Sequence, residues 1–227
     1  MAGRGCWHCW IMPKRARSRT SLVLHRVQTI TVAKTPMPSN SLHDWETSRR
    51  EALDELEVAH RSVGGSDRGR RYATQQINHA YAVLLSSQFQ GFCRDLHNES
   101  ADSFVRTFSA GQIRSAIRNL LTQNRKLDRG NPNPGNIGSD YNRFGLLFWD
   151  EVKNLDMRNK GRLDRLEELN TWRNAIAHQN FGPGTVPGSL LRLQRVRDLR
   201  KACEHLAVAF DEVMRNYLLV VTGTSPW

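Results

Sequence analysis

The sequence predicts an all-α protein, built as an antiparallel four-helix bundle with additional short helices. Apolar residues recur at three- and four-residue steps through four long segments, which is the periodicity of an amphipathic helix. Glycine and proline separate these segments, and no strand pattern competes with them. Since each helix must bury its apolar stripe, the four stripes are expected to face a shared centre.

The first half of the domain contains three predicted helices. The first begins near Ser41, which together with Asp44 resembles a capping arrangement, and it ends at Gly64–Gly65. The second runs from about residue 70 to 97, and a shorter third helix covers residues 110–123. The second of these is therefore predicted to be a long helix.

A break and two further helices follow. Residues 129–143 are crowded with Asn, Pro and Gly, which favour turns, and an apolar cluster covers residues 144–149. A helix is predicted from about residue 160 to 178, ended by Gly182-Pro183-Gly184. The last helix shows the plainest pattern, because its apolar residues from Val196 to Tyr217 step by three and four in alternation.

Charge divides the chain into a basic arm and a nearly balanced domain. The 227 residues carry a formal charge of +11, and residues 1–38 hold seven Lys and Arg and no acid. We therefore predict a flexible basic arm over residues 1–38, a helical domain over 39–222 and a short tail over 223–227. Met37 leaves open that translation starts there. The net positive charge favours a polyanion such as nucleic acid as partner. No stretch is apolar enough to span a membrane.

The cysteines predict neither a cofactor nor a metal centre. Cys6 and Cys9 have the spacing of half a zinc site, but no second pair completes it. Cys93 and Cys203 stand singly at apolar helix positions, as inert buried cysteines do. Scattered cysteines without a secretory signal indicate a reducing compartment, so a cytoplasmic location is expected.

The strongest local pattern is the end of the helix over residues 160–178. At 100° per residue its apolar side chains fall within one arc, and Arg173 lies on that arc. A guanidinium there needs an anion or an interface, because an unpaired buried charge is costly. Asn174 and His178 are four residues apart and therefore share a face. A helix end of this kind can form a pocket or partner surface without interrupting the core.

This motif resembles the signature of the HEPN superfamily of RNA-cleaving and nucleotide-associated helical domains. The motif is Arg173-Asn174, three further residues and His178, placed between two bundle helices and before a Gly-Pro loop. Residues 78–96, NHAYAVLLSSQFQGFCRDL, resemble the apolar helix that opens HEPN domains of the RiboL-PSP-HEPN type. The resemblance covers about residues 70–222. HEPN domains paired with a minimal nucleotidyltransferase usually carry a Tyr two residues after the His, where this chain has Asn180.

The resemblance implies a metal-independent endoribonuclease that cleaves RNA by attack of its 2′-hydroxyl. Arg173 would clamp the phosphate with its planar fork, His178 would move a proton, and Asn174 would orient the phosphate or the imidazole. HEPN nucleases typically join two motifs across a two-fold interface, so a homodimer is also implied. A defence, toxin–antitoxin or stress setting is expected, with a neutralising protein as one partner besides RNA.

Simpler interpretations of the same residues stay open. Arg173 could pair with an acid such as Glu167 or Asp211, and His178 could cap its helix. The domain would then be an inactive HEPN module that binds RNA or a partner protein. The arginines that open the last helix have two interpretations, a solvated face or a groove that tracks RNA, and their nearness to the Gly-Pro loop adds weight to the second. These arginines are Arg192, Arg195, Arg197 and Arg200.

Overall fold

The computed structural model describes residues 37–63, 71–182, 184–186 and 190–227, and all regular structure in these ranges is helical. The all-α prediction is therefore confirmed. None of the described helices is long and apolar enough to cross a bilayer. The α-helices are α1 (Asn40–Asp44), α2 (Arg50–Val63), α3 (Arg71–Val105), α4 (Gly111–Thr122), α5 (Pro134–Tyr141), α6 (Phe148–Leu155), α7 (Asn159–His178) and α8 (Leu193–Thr222).

The first predicted helix is one nearly continuous element that includes a π-helical turn. α1 leads into the π-helix Trp45–Arg49, which leads into α2. The N-cap is Ser39, whose Oγ accepts a hydrogen bond from the backbone N–H of Leu42 at 3.0 Å. The predicted cap at Ser41 is displaced by two residues, because the Ser41 hydroxyl donates to Glu99 of α3 instead.

The core lies around α3, which packs against α2, α4, α7 and α8. Its centre is aromatic, and the rings come from helices that are distant in the sequence. The ring centroids of Phe148 and Phe210 lie 4.9 Å apart in an edge-to-face arrangement, and those of Tyr141 and Phe148 lie 4.3 Å apart. Aromatic pairs of this kind add to the hydrophobic stabilisation that comes from burying the rings. They fix α5 and α6 against α8.

The segment 129–143 contains a helix that the sequence did not predict. Asn133 caps α5 by accepting from the backbone N–H of Asn136 at 2.8 Å, and Pro134 occupies the first turn. Ile137 and Tyr141 are both fully buried, which gives this short helix an anchored face. The residues that indicated turns therefore act as a helix start, since Asn and Pro are favoured at that position too.

The C-terminal residues pack against the bundle. The indole Nε1 of Trp227 donates to Asp211 at 3.3 Å, and the carbonyl of Pro226 accepts from Arg106. Asp211 also accepts from the backbone N–H of Ser39 at 3.1 Å. One buried carboxylate thus joins the two ends of the described chain to α8.

Two of the four cysteines lie in the described part of the structure, and both are buried in the core. Burial raises the pKa of the Cys93 and Cys203 thiols, which keeps them protonated and unreactive. The predicted Cys6 and Cys9 half-site and nearly all of the basic arm lie outside the described residues. Within those residues no group of His, Cys, Asp and Glu side chains is arranged to hold a metal ion.

Candidate functional site

The motif occupies the last two turns of α7, whose apolar side is buried as the periodicity predicts. Leu166, Leu169, Trp172 and Ala175 are buried against the bundle. These contacts fix the orientation of the helix end. They place the polar residues of the motif at the border between core and solvent. There the backbone is fixed by the packing of the helix, and the side chains remain accessible.

Arg173 is half-buried, and no described carboxylate pairs with it. Its Nη1 donates to the side-chain oxygen of Asn174 at 3.3 Å. Asp211, one of the two acids considered as its partner, is already engaged by Ser39 and Trp227. The other, Glu167, is exposed on α7. Arg173 is therefore a partly desolvated cation whose charge is available to an anion.

Asn174 is exposed, and its amide orientation is set by two donors. Its Oδ1 accepts from Arg173 and from the side-chain Nδ2 of Asn131. Asn131 is itself held, because its carbonyl accepts from Asn136 at 2.8 Å. With the oxygen of Asn174 doubly occupied, its Nδ2 is the group left to donate toward a ligand. Sequence reasoning missed Asn131, for which the only signal was the Asn-rich composition of residues 129–143.

Asn170 connects the segment around Asn131 to the body of α7. It is buried, and its Nδ2 donates to the carbonyls of Leu166 at 2.8 Å and Pro132 at 3.1 Å. Its Oδ1 is buried and has no partner among the described groups. Asn170, Asn174 and His178 follow one another at four-residue spacing, so they share one face of α7. Asn131 and Pro132 form hydrogen bonds with the first two of these residues and none with His178.

His178 is the last residue of α7 and is exposed. The hydrogen bonds that close the helix come from other groups. Gln179, in the left-handed conformation with φ of 52°, donates its N–H to the carbonyl of Ile176, and the N–H of Asn180 donates to that of Ala175. The His178 imidazole makes no hydrogen bond to the described residues and is free to meet a ligand.

An aromatic pair lies directly beyond the motif. The ring of Phe181 stacks on the imidazole of His79 from α3, with centroids 5.2 Å apart and planes 14° apart. Nε2 of Gln75 lies 2.8 Å from Nε2 of His79. Burial lowers the pKa of His79, which favours the neutral ring. No role was predicted from the sequence for His79 or for Phe181.

Three of the four arginines that were predicted to bind RNA are engaged in ion pairs inside the protein. Arg195 binds Glu168 of α7 through two nitrogens. Arg197 binds Glu57 of α2, with its Nη2 2.8 Å from the carboxylate. Arg200 is 8% exposed and binds Asp54, Glu204 and the hydroxyl of Tyr81. The predicted RNA groove stays a prediction, and for these three residues it would require giving up a carboxylate.

Arg192 differs from the other three. It precedes the first turn of α8 and is exposed, and its side chain has no hydrogen bond or ion pair to the described residues. Among the four predicted RNA-binding arginines, it is the one that offers an unengaged guanidinium to solvent. Arg192 and Arg173 are thus two cations without a described carboxylate partner near the connection between α7 and α8.

The electrostatic balance of the α2–α8 contact supports a structural role there. Burial alone would raise the pKa of Glu57, but hydrogen bonds from Arg197 and Tyr81 outweigh it and lower the pKa. Burial would likewise lower the pKa of Arg200, but its hydrogen bonds with Tyr81 and Asp54 raise it. Each charge stabilises the ionised form of its partner, so the cluster holds α2 against α8.

Comparison with known proteins gives one family. The family model described as RiboL-PSP-HEPN matches residues 47–216, which is well over half of the chain. No match was found among curated proteins or among solved structures. The matched range begins in the π-helical turn and ends near the C-terminus of α8, and it includes the whole of α7 with Arg173, Asn174 and His178.

Proposed function

Since the chain belongs to the RiboL-PSP-HEPN family of the HEPN superfamily, we propose that it is a metal-independent endoribonuclease. One observation carries the proposal. A half-buried arginine without a described carboxylate and an exposed histidine without a described hydrogen bond stand five residues apart in the last two turns of α7. Their chemistry suits a phosphodiester, which needs a cationic clamp and a group that moves a proton.

The proposed reaction is attack by the 2′-hydroxyl of the RNA on the adjacent phosphorus. A base removes the proton from that hydroxyl, the new O–P bond forms, and the bond to the 5′-oxygen of the next nucleotide breaks. An acid protonates the departing oxygen, so one product ends in a 2′,3′-cyclic phosphate and the other begins with a 5′-hydroxyl. Arg173 stabilises the charge on the phosphorane with its two-pronged guanidinium. The Nδ2 of Asn174 donates to a phosphate oxygen.

The reaction needs a base and an acid, and one copy of the motif supplies a single imidazole. We therefore propose a two-fold dimer with residues 166–184 at or near the interface, so that two copies of His178 serve one phosphodiester. Partial burial of Arg173 on the apolar side of α7 supports this location. Sedimentation should show a dimer at micromolar concentration. A monomer whose activity is linear in protein concentration would contradict the arrangement.

The decisive experiment is cleavage of labelled RNA in the presence of EDTA. We expect His178→Ala and Arg173→Ala each to lower the rate by about 10² or more, the usual scale for losing an acid–base group or an electrostatic donor. Arg173→Lys should also fail, because it keeps the charge and loses the fork. His43→Ala, at an exposed histidine on α1, is the matched control and should cut at the wild-type rate.

Cleavage by His178→Ala at the wild-type rate would overturn the nuclease proposal, and so would cleavage that requires added Mg²⁺. If purified protein binds RNA and cuts none of it, the domain is instead a HEPN module that holds RNA or a partner protein. Mass measurement of the products supplies an independent check, since hydrolysis by water would leave no cyclic phosphate.

A further inference from the structure

The segment that follows the motif carries a large apolar ring that is open to solvent. Phe181 lies three residues after His178 and keeps 40% of its surface exposed. One face of its ring is covered by the imidazole of His79 in a nearly parallel stack. A ring that is stacked on a second ring and partly open to solvent has the form of a stacking platform.

The platform is fixed to the bundle, because the chain between α7 and α8 contacts two neighbouring residues of α3, one near each of its ends. Phe181 stacks on His79, and the carbonyl of Leu191 accepts from the Nδ2 of the buried Asn78 at 2.9 Å. His79 is in turn bonded to Gln75, whose amide nitrogen can only donate, so the imidazole Nε2 accepts. A neutral imidazole therefore supports the ring, and the platform carries no charge of its own.

The platform lies within reach of the proposed phosphate site. Successive Cα atoms are about 3.8 Å apart, so the Cα atoms of Phe181 and His178 are separated by at most about 11 Å. An RNA strand covers such a span with one or two nucleotides. A phosphate held at Arg173 and His178 would leave a neighbouring base close to the exposed part of the Phe181 ring.

We propose that Phe181 is a stacking site for an unpaired nucleobase next to the phosphate that is cleaved, with His79 supporting the ring from behind. The inference rests on the proposed function and names its substrate class, single-stranded RNA. Bases in an A-form duplex already stack on one another and have no free face to offer. Since every base has a π-face, the site should tolerate all four bases.

The test measures RNA affinity separately from cleavage. All binding variants are made in the full chain carrying His178→Ala, and anisotropy is recorded with a labelled single-stranded oligonucleotide and with a fully paired RNA duplex. Phe181→Leu keeps an apolar side chain on His79 and loses the π-face. We expect it to weaken single-strand binding by about 5- to 150-fold, the equivalent of one base–aromatic stack, and to leave duplex binding unchanged.

Two further variants separate stacking from packing. Phe181→Trp enlarges the π-face and should bind the single strand at least as tightly as its parent. Tyr72→Leu removes another exposed aromatic ring, 77% accessible on α3, and should change nothing. In protein with His178 intact, Phe181→Leu should raise KM by the same factor as it weakens binding and leave kcat nearly unchanged.

The outcomes are distinct for the two proposals. Equal affinity of Phe181→Leu and its parent, equal losses for single strand and duplex, or absence of RNA binding by the parent would each overturn the stacking site. A parent that binds single-stranded RNA with the expected dependence on Phe181, while the wild type never cuts, would overturn the nuclease proposal and leave the stacking site standing.

Discussion

Replacing Arg200 tests whether the cationic face of α8 holds the bundle together or contacts RNA. Arg200 is 8% exposed, and its guanidinium donates to Asp54 at 2.6 Å, to the Tyr81 hydroxyl at 2.9 Å and to Glu204 at 3.0 Å. We expect Arg200→Met to reduce the free energy of unfolding, because the methionine fills similar space and supplies none of these hydrogen bonds.

The magnitude follows from which partners are buried. Asp54 is more than half exposed, so its ion pair contributes at most about 1 kcal/mol. Tyr81 is fully buried and Glu57, which accepts from its hydroxyl, is 16% exposed. Leaving such groups without a nearby donor costs about 1–3 kcal/mol, and breaking a fully buried pair costs about 3–5 kcal/mol. Because Glu57 keeps its bond to Arg197, we expect a loss of about 2–4 kcal/mol.

Urea unfolding followed by circular dichroism measures this loss. Arg192→Met is the matched control, since it removes an exposed arginine at the N-cap of the same helix and should stay within about 0.5 kcal/mol of the wild type. RNA binding is measured on both variants well below their midpoints. A loss under about 0.5 kcal/mol for Arg200→Met, together with weakened RNA binding, would refute the structural role and restore the groove interpretation.

Three further predictions concern other parts of the chain. Burial lowers the pKa of His97 to about 4, whereas a histidine in the unfolded chain has a pKa of about 6.5. Between these two pH values the unfolded chain binds the extra proton, so the free energy of unfolding should fall by up to about 3 kcal/mol as the pH drops from 6.5 to 4. His97→Gln should make the urea midpoint less dependent on pH. Asn131→Ala should lower kcat about fivefold, the worth of one hydrogen bond, and should add nothing in an Asn174→Ala background. Removing residues 1–36 should leave the melting temperature unchanged and make RNA binding weaker and less dependent on salt; loss of cooperative unfolding would contradict this.

The long helices could be predicted from the sequence because their apolar stripes are visible locally. The predicted start and end of α7, near residues 160 and 178, agree with Asn159–His178. α5 was missed for a physical reason. Asn133 and Pro134 are favoured both in turns and at the start of a helix, and only the burial of Ile137 against the bundle decides between the two.

The site was predicted in part because its core motif is local in the sequence. Arg173, Asn174 and His178 fall within two turns of one helix, but their surroundings come from distant segments. Asn131 lies 43 residues before the side chain it contacts, and Asp54 lies 146 residues before Arg200. Periodicity carries no information on such pairs, since it describes which face of a helix is buried and not which neighbour covers it.

The division of α7 into two faces explains why its motif can be tested by mutation. The buried face, with Trp172 and Ala175, fixes the helix to the core, whereas His178 is exposed in the last turn and leaves the closing hydrogen bonds to other groups. Truncating His178 should therefore cost at most about 1 kcal/mol from its interaction with the helix dipole. Arg173 is half-buried without a described carboxylate, so its removal leaves no orphaned acid behind. Loss of cleavage in either variant would accordingly report on the chemistry of the site and not on the stability of the fold.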